Sequence, residues 1–260
     1  GQTGFKGSWL SLWLTNLGAN VIGVGLKPNS DNSFYSVNNL NSMIDSRIFD
    51  IRDKEMLNNL IKKENPDFIF HLAAQALVRR SYLDPLETWS TNLMGTLHIL
   101  ESLRSLKKKC VCILITSDKC YQNKEWLWGY RETDILGGSD PYSASKASAE
   151  LAIKSYYDSF LKNELSQVRI ASVRAGNVIG GGDWSEDRIV PDCIRAWSKG
   201  KLVKLRSPNA TRPWQHVLEP LSGYLSLASS LYREKELDGE VFNFGPSLIE
   251  NHSVLDLVKS

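Results

Sequence analysis

The 260-residue chain is predicted to form an α/β fold, a doubly wound parallel sheet with a smaller C-terminal lobe. Two observations predict it. Short apolar runs alternate with longer stretches of helical period, and a glycine-rich turn at the start runs directly into a helical segment. Alternation of this kind is typical of parallel sheets with helices on both faces, because each strand needs a crossover connection to reach the next.

The glycines Gly1, Gly4 and Gly7 precede a helical stretch over residues 8–14. Glycines allow a tight turn and a close approach of backbone N–H groups to a pyrophosphate, and the helix N-terminus adds a favourable dipole. The segment therefore predicts a Rossmann-type dinucleotide site, with a plain glycine turn before a core helix as the alternative. We expect the strand that comes before such a turn to lie outside these 260 residues.

Strands are predicted where an apolar run is bounded by turn residues. Cysteine, valine, isoleucine and leucine fill residues 110–115, which gives the clearest run. In chain order, the predicted strands are residues 20–24, 47–50, 67–71, 110–116, 168–174, 202–205 and 241–245.

Helices are predicted from capping residues and apolar residues at helical spacing. Asp53 caps a helix through residue 63, and Pro85 suits the first turn of a long helix that ends near residue 106. The other predicted helices cover residues 142–161, 189–199, 219–232 and an amphipathic segment from residue 253. We assign residues 1–176 to the dinucleotide-binding domain and residues 177–260 mainly to a substrate-binding lobe that returns to the sheet.

Composition limits the possible functions. The net charge of +2 does not indicate a nucleic-acid-binding surface, and no apolar span suggests a membrane segment. Cys110, Cys112, Cys120 and Cys193 form no C-x-x-C pair, and the histidines are scattered. We therefore expect no metal site, reduced cysteines and a cytoplasmic protein.

Two segments carry the chemistry. Ser117, Asp118 and Lys119 directly follow the clearest apolar run, and Tyr142 and Lys146 are spaced four apart, so that a helix would place them on one face. A lysine ammonium beside a phenol lowers the tyrosine pKa and makes a base for a hydroxyl proton. The alternative for Asp118 and Lys119 is a solvated pair at a strand end.

Several further segments complete a pattern that resembles the extended short-chain dehydrogenase/reductases, within the NAD-dependent epimerase/dehydratase family. Its dehydratases that act on CDP-glucose are the most similar group, because those on dTDP-glucose carry Asp-Glu where this chain has Asp118-Lys119, and epimerases carry neither. The matching segments begin at Gly1, His71, Thr91, Thr116, Tyr142, Arg174, Asp187 and Arg212.

The resemblance implies a dehydration of CDP-glucose, or a related sugar nucleotide, to a 4-keto-6-deoxy sugar. Tyr142 would take the 4-hydroxyl proton while hydride passes to NAD, Lys146 would lower the tyrosine pKa, and Ser117 would hold the 4-oxygen. Lys119, as a neutral amine, would remove the C5 proton. Asp118 would protonate the leaving 6-hydroxyl.

The resemblance also implies the binding residues. For the cofactor these are Gly1, Thr3, Gly4, Phe5, Lys6, Gly7, Asp50, Ile51, Leu72, Ala73, Ala74, Tyr142 and Lys146. For the substrate they are Asn177, Arg188, Pro191, Arg212 and Trp214, with packing of the smaller lobe as the alternative for Pro191 and Trp214. We expect NAD rather than NADP, although Gly25-Leu26-Lys27 offers no acid for the adenosine ribose.

Two alternatives remain open at this point. One is another sugar-nucleotide dehydratase or epimerase of the same fold, and the other is a non-catalytic NAD(P)-binding sensor or scaffold. The resemblance further implies a homodimer or a dimer of dimers. Tyr156, Tyr157, Phe160 and Leu161 could extend the contact surface, with packing in the core as the alternative for the same residues.

Overall fold

The computed structural model describes residues 1–163, 165–247 and 252–259. A four-stranded parallel sheet in the order β3-β4-β5-β9 forms its centre, and β1 and β2 form a separate parallel pair. The strands are β1 Ile22–Gly25, β2 Asp45–Ile48, β3 Phe68–His71, β4 Cys110–Ile115, β5 Val168–Ala175, β6 Val178–Ile179, β7 Thr211–Arg212, β8 Gln215–His216, β9 Val241–Phe244 and β10 His252–Ser253.

Helices connect these strands. They are α1 Phe5–Asn16, α2 Phe34–Val37, α3 Lys54–Glu64, α4 Val78–Leu83, α5 Pro85–Trp89, α6 Gly95–Leu103, α7 Pro141–Tyr156, α8 Ile189–Trp197, α9 Leu218–Arg233 and α10 Val254–Lys259. Short π-helical segments, Ser90–Met94 and Tyr157–Leu161, join α5 to α6 and extend α7.

The sheet is covered on both faces, and β4 shows why. Its residues Val111, Ile113 and Ile115 pack in one cluster with α1 and α9, whereas Cys110, Cys112 and Leu114 pack in another with α3, α6 and α7. Alternation along a strand sends successive side chains to opposite faces. The fully apolar run therefore indicates a strand buried on both sides, as the doubly wound fold requires.

A cavity of about 840 Å³ separates β1 from β3. Val24 lines one side and Phe70 the other, while Leu10 and Ile99 close it from the two helical layers. The predicted catalytic residues do not line this cavity. Its lining does include five of the predicted cofactor residues, which are Gly1, Gly7, Ile51, Leu72 and Ala73.

The structure confirms most predicted elements, including the return of residues 241–244 to the sheet beside β5. The strand predicted at residues 202–205 is wrong: these residues form no strand, and Leu202 is 98% exposed. A short apolar run without a neighbouring strand to pair with has little to stabilise an extended conformation. The helix predicted to continue to residue 106 instead contains a π turn and ends at Leu103.

The C-terminal lobe contains pairs of two-residue strands that the sequence did not predict. In one pair β6 runs parallel to β8, and in the other β10 runs antiparallel to β7. Strands this short leave no period to detect. The helix predicted from residue 253 is confirmed as α10, and residue 260 lies outside the described residues.

The residues predicted to extend a contact surface divide into two groups. Leu161 is 3% exposed and belongs to the core beside α7, which agrees with the core-packing alternative. Phe160 is 43% exposed and packs on the Arg104 guanidinium. None of the helices in the described part of the chain is long and apolar enough to cross a membrane.

His71 ends β3 as a buried, neutral side chain. Its Nε2 lies 3.1 Å from the Thr96 hydroxyl on α6, and burial lowers the pKa of His71 from 6.5 to about 3. As pH falls below about 6.5, the unfolded chain therefore takes up a proton that the folded protein resists. The stability that this histidine contributes is complete above the unfolded pKa and is lost as pH falls towards the folded one.

We predict that His71→Gln reduces the loss of stability on acidification. Between pH 7 and pH 5 the histidine should remove roughly 2 kcal/mol from the free energy of unfolding of the parent protein. The glutamine variant lacks this titration, so its loss should be smaller by about that amount. Urea unfolding of both proteins at the two pH values measures the difference, and equal losses would contradict the prediction.

Candidate active site

The segment that follows β4 forms a tight turn at the carboxyl edge of the sheet. Residues Asp118–Cys120 make one 3₁₀ turn, which Ser117 caps by accepting a hydrogen bond from the Lys119 backbone N–H at 3.2 Å. The Ser117 hydroxyl also donates to Asp118 Oδ1 at 3.0 Å. A strand end of a parallel sheet is where α/β proteins bind their ligands.

Helix α7 brings Tyr142 and Lys146 to the same edge. Asp140 caps it, accepting hydrogen bonds from the Ser143 N–H at 2.9 Å and the Ser143 hydroxyl at 2.6 Å, and Pro141 occupies the first turn. These features fix where the helix begins, and thereby where Tyr142 lies. The structure thus brings the predicted pair of segments together.

Burial raises the pKa of Tyr142 above its ordinary value. The predicted lowering of this pKa by Lys146 is therefore wrong for this arrangement. A hydrogen bond with Ser117 and the charge of Arg188 oppose the effect of burial, whereas Asp118 adds to it. The Lys146 ammonium instead donates to the backbone carbonyl of Ile115 at 3.3 Å.

Lys146 itself is buried, and its desolvation lowers its pKa from 10.5 to about 8. The charge of Glu150, one helical turn further along α7, opposes this effect. The amine can therefore exchange its proton close to neutral pH, which suits a group that takes part in proton transfer.

Asp118 and Lys119 differ in environment. Burial raises the pKa of Asp118, while Lys119, Ser117 and Arg212 act in the opposite direction. A carboxyl with a raised pKa is suited to donate a proton. Lys119 is exposed, so it lacks burial, which was one of two expected routes to a neutral amine beside a nearby ammonium such as that of Lys146.

The glycine turn is packed too tightly for any other residue. A Cβ on Gly7 would lie 1.9 Å from the Gly1 carbonyl oxygen, and one on Gly1 would lie 2.8 Å from the Ala73 nitrogen. The turn thus contacts the segment after β3 that was predicted to bind the cofactor. Gly4 caps α1, whose first N–H groups have no acceptor within a helix. These features fit a dinucleotide pyrophosphate.

Lys6, on the first turn of α1, reaches the catalytic cluster. Its ammonium donates to the Tyr224 hydroxyl at 3.4 Å. Burial, together with the charges of Lys146 and Arg188, lowers the pKa of Lys6 to about 8. Phe5 beside it packs against the core that α1 shares with α9.

The other predicted cofactor residues surround the glycine turn. The Thr3 hydroxyl donates to the Leu26 carbonyl at 2.8 Å. Asp50 is bound by Arg52, which lowers its pKa, and Ile51 is buried against Gly95. The three residues after β3, which are Leu72, Ala73 and Ala74, are partly buried.

Two of the predicted substrate residues, Arg188 and Arg212, are near enough to act on the predicted catalytic residues through their charges. Arg188 Nε and Trp214 Nε1 are buried and have no hydrogen-bond partner within the described residues. The Arg188 charge acts on Tyr142, and the Arg212 charge acts on Asp118. Unpaired buried donors beside positive charges fit an anionic ligand.

The remaining substrate residues have less direct roles. The Asn177 carbonyl accepts the Gln215 N–H at 3.0 Å, which ties the segment after β5 to β8. Pro191 is buried in α8. Among the described residues, no group of three or more histidine, cysteine, aspartate or glutamate side chains is placed to hold a metal.

Sequence reasoning missed the residues that fix this arrangement. Asn92, in the first π segment, accepts the Gln75 N–H at 2.8 Å and donates to the Ser145 hydroxyl at 2.9 Å, so it ties the loop after β3 to α7. Glu150 and Arg174 form a buried ion pair behind the cluster. The spacing of four residues between Lys146 and Glu150 could have indicated Glu150, because residues four apart share one face of a helix.

The fold and the site define a dinucleotide-dependent enzyme of the Rossmann type, with the predicted catalytic residues clustered at the carboxyl edge of its sheet. Comparison with known families is more specific: residues 1–241 match the family described as GDP-mannose 4,6 dehydratase. The chain belongs to this family.

Two similar curated proteins are dehydratases. A CDP-glucose 4,6-dehydratase from Salmonella typhimurium is 52% identical over 249 residues, a match that spans 95% of this chain and 69% of that protein. A dTDP-D-glucose 4,6-dehydratase from Dictyostelium discoideum is 29% identical, and the match spans 94% of this chain but only 57% of that protein.

Solved structures share the fold. A UDP-glucose 4-epimerase from Thermotoga maritima, determined with UDP-glucose, matches with a TM-score of 0.84 at 25% identity, over 100% of this chain and 79% of that one. A dTDP-glucose 4,6-dehydratase from Streptomyces venezuelae matches with a TM-score of 0.82 at 20% identity, over 99% of this chain and 77% of that one. The Rossmann-type α/β fold predicted from the sequence is thereby confirmed.

Proposed function

We propose that this chain is a sugar-nucleotide 4,6-dehydratase that converts CDP-glucose to CDP-4-keto-6-deoxyglucose. The observation that carries the proposal is the 52% identity, over 95% of the chain, to a protein of that activity. The cluster of Ser117, Asp118, Tyr142 and Lys146 at one sheet edge supports it, because both acid–base steps of a dehydration need groups of this kind.

The cofactor that fits the glycine turn is NAD. When bound, it would accept hydride from C4 of the sugar and return hydride to C6, so that the reaction has no net redox change. Gly1, Gly4 and Gly7 allow the pyrophosphate to approach the backbone at the start of α1. Buried side chains around the cluster exclude water while the sugar is oxidised.

Tyr142 is the group that takes the 4-hydroxyl proton. Its hydrogen bond with Ser117 and the charge of Arg188 both favour the phenolate, against the effect of burial. Ser117 is placed to hold the 4-oxygen between itself and the phenol. Lys146, whose ammonium is anchored on the Ile115 carbonyl, supplies positive charge on the same helix face.

The elimination step is assigned to the turn after β4. Asp118, with its raised pKa, donates a proton to the leaving 6-hydroxyl. Lys119 removes the C5 proton, and because it is exposed in the structure, this role requires the bound sugar to cover it. The diphosphate is bound by Arg188 and Arg212, whose guanidinium groups suit phosphate oxygens. Trp214, Asn177 and Pro191 complete the substrate side.

We also propose that the enzyme is located in the cytoplasm.

We predict that the full-length protein turns over CDP-glucose in preference to dTDP-, UDP- and GDP-glucose. The measurement is the absorbance of the 4-keto product in base, with NAD and separately with NADP supplied. Preference for another nucleotide would retain the mechanism and overturn the CDP assignment. Cofactor binding without turnover of any of the four would favour a sensor or scaffold.

We predict that Asp118→Asn slows dehydration by about 10²- to 10⁴-fold, the usual contribution of a general acid. The amide is nearly isosteric but cannot protonate the 6-hydroxyl, so oxidation at C4 should proceed and elimination should stall. Single-turnover nicotinamide absorbance should therefore rise and stay high. The exposed Asp31→Asn is the matched control, and an unchanged rate in Asp118→Asn would remove this residue from the mechanism.

We further propose a homodimer or a dimer of dimers that buries the outer surface of α5 and α7. Leu86 is 80% exposed and Leu151 61% exposed on these two helices, which pack against each other. Sedimentation velocity should show a dimer or tetramer for the parent protein and a smaller species for Leu151→Glu. A monomeric parent would contradict the proposal.

A further inference from the structure

A buried ion pair lies directly behind the catalytic cluster. Arg174 on β5 and Glu150 on α7 approach to 2.8 Å, and their side chains are 3% and 2% exposed. Burying two charges costs desolvation free energy that their attraction often does not recover, and apolar residues of similar volume would serve packing at least as well. The pair is therefore weak evidence for stability, and its contacts indicate what else it does.

The Glu150 carboxylate connects α7 to the end of β4. One oxygen accepts a hydrogen bond from the Thr116 hydroxyl, and the other accepts from Arg174 and, at 2.9 Å, from the Ser172 hydroxyl. Thr116 is the residue immediately before Ser117. A single carboxylate thus joins the helix that carries Tyr142 to the strand end that carries the 3₁₀ turn.

Arg174 holds the far side of the same turn. Its Nη1 donates to the Tyr121 hydroxyl at 2.8 Å and to the Glu132 carbonyl at 3.0 Å. The guanidinium also lies 4.8 Å from the Tyr121 ring centroid, and the Tyr121 hydroxyl donates to Asn243 on β9 at 2.7 Å. Thr116 and Tyr121 flank the turn on its two sides, and both are tied to one ion pair.

We propose that Glu150 and Arg174 are positioning residues, which hold the Ser117–Lys119 turn in a fixed arrangement against Tyr142 and Lys146. This inference rests on the proposed dehydratase function for its kinetic consequences, although the positional link is present in the geometry alone. Groups that must act on one sugar ring lose rate steeply when they are displaced by about 1 Å.

The charge of Glu150 has a second consequence. Lys146 lies one helical turn away, and Glu150 favours its ammonium form. The other titratable groups acting on or near Lys146 are Cys120 from the turn, Lys6 from α1 and His71 from β3. The Cys120 thiol is neutral because burial raises its pKa, so Glu150 supplies the negative charge.

The test compares two hydroxyls that donate to the same carboxylate. Thr116→Val removes the link to the turn, whereas Ser172→Ala removes a hydrogen bond from the middle of β5, which does not carry the turn. Neither variant leaves Glu150 without Arg174, so both should fold. We expect Thr116→Val to lower kcat by about 10- to 100-fold with KM within about twofold. We expect Ser172→Ala to stay within about twofold, and Thr116→Ser to restore the rate.

A readout independent of turnover is hydrogen exchange of the full-length protein with NAD. Thr116→Val should raise amide exchange across residues 117–121, whereas Ser172→Ala should not. Equal exchange in the two variants would overturn the positioning role even if no sugar nucleotide is turned over. Turnover in the parent with equal kcat in both variants would overturn it while leaving the proposed function intact.

Glu150→Gln tests the charge. Without the carboxylate, Lys146 should lose its proton at lower pH, so the alkaline limb of the kcat profile should move down by about one pH unit. Thr116→Val retains the carboxylate, so its limb should stay in place. A limb that stays in place in Glu150→Gln, in protein that remains folded by circular dichroism, would contradict the electrostatic part of the proposal.

Discussion

The burial of β4 on both faces is the constraint on which the rest of the structure depends. Because its side chains alternate between two separate cores, the strand can neither shift in register nor rotate without exposing one of them. The backbone must therefore leave the sheet at one defined point, after Ile115. The packing of β4 on both faces thereby fixes where the polar residues that follow it lie. The position of Ser117 and Asp118 is in this sense a property of the apolar core.

The electrostatics of the site follow from that placement. Polar groups gathered at a sheet edge between two helical layers are desolvated, and desolvation shifts each one towards its neutral form: it raises the pKa of Asp118 and Tyr142 and lowers that of Lys6 and Lys146. A carboxyl with a raised pKa and amines with lowered pKa values suit the proton transfers of an elimination. The same environment makes a bound anion favourable, since cations outnumber the acids.

The sequence predicted the parts of the fold that local pattern controls. The apolar run of β4 and the helix over residues 142–161 are encoded locally, and so the two segments with the predicted catalytic residues could be recognised. The strand at residues 202–205 failed because its pattern has no tertiary partner. The pKa direction of Tyr142 failed because burial depends on what lies on every side of the phenol. Arg174 and Glu150 were not predicted as a pair, since 24 residues and a loop separate them in sequence.

Helix α7 combines these roles through its geometry. Residues four apart on an α-helix are offset by about 40° around the axis, since 3.6 residues make a turn. Tyr142, Lys146 and Glu150 therefore form one stripe that rotates gradually as the helix crosses the sheet. The first residue contacts Ser117 at the sheet edge, the second reaches the carbonyl at the end of β4, and the third meets β5 inside the protein.

An apolar residue in place of Glu150 would fill the space, but it would leave the helix and the turn without a directional link. Dispersion forces tolerate small displacements, whereas hydrogen bonds from a fixed carboxylate define both distance and angle. The buried Glu150 carboxylate therefore fixes the position of α7 relative to the turn that carries Ser117.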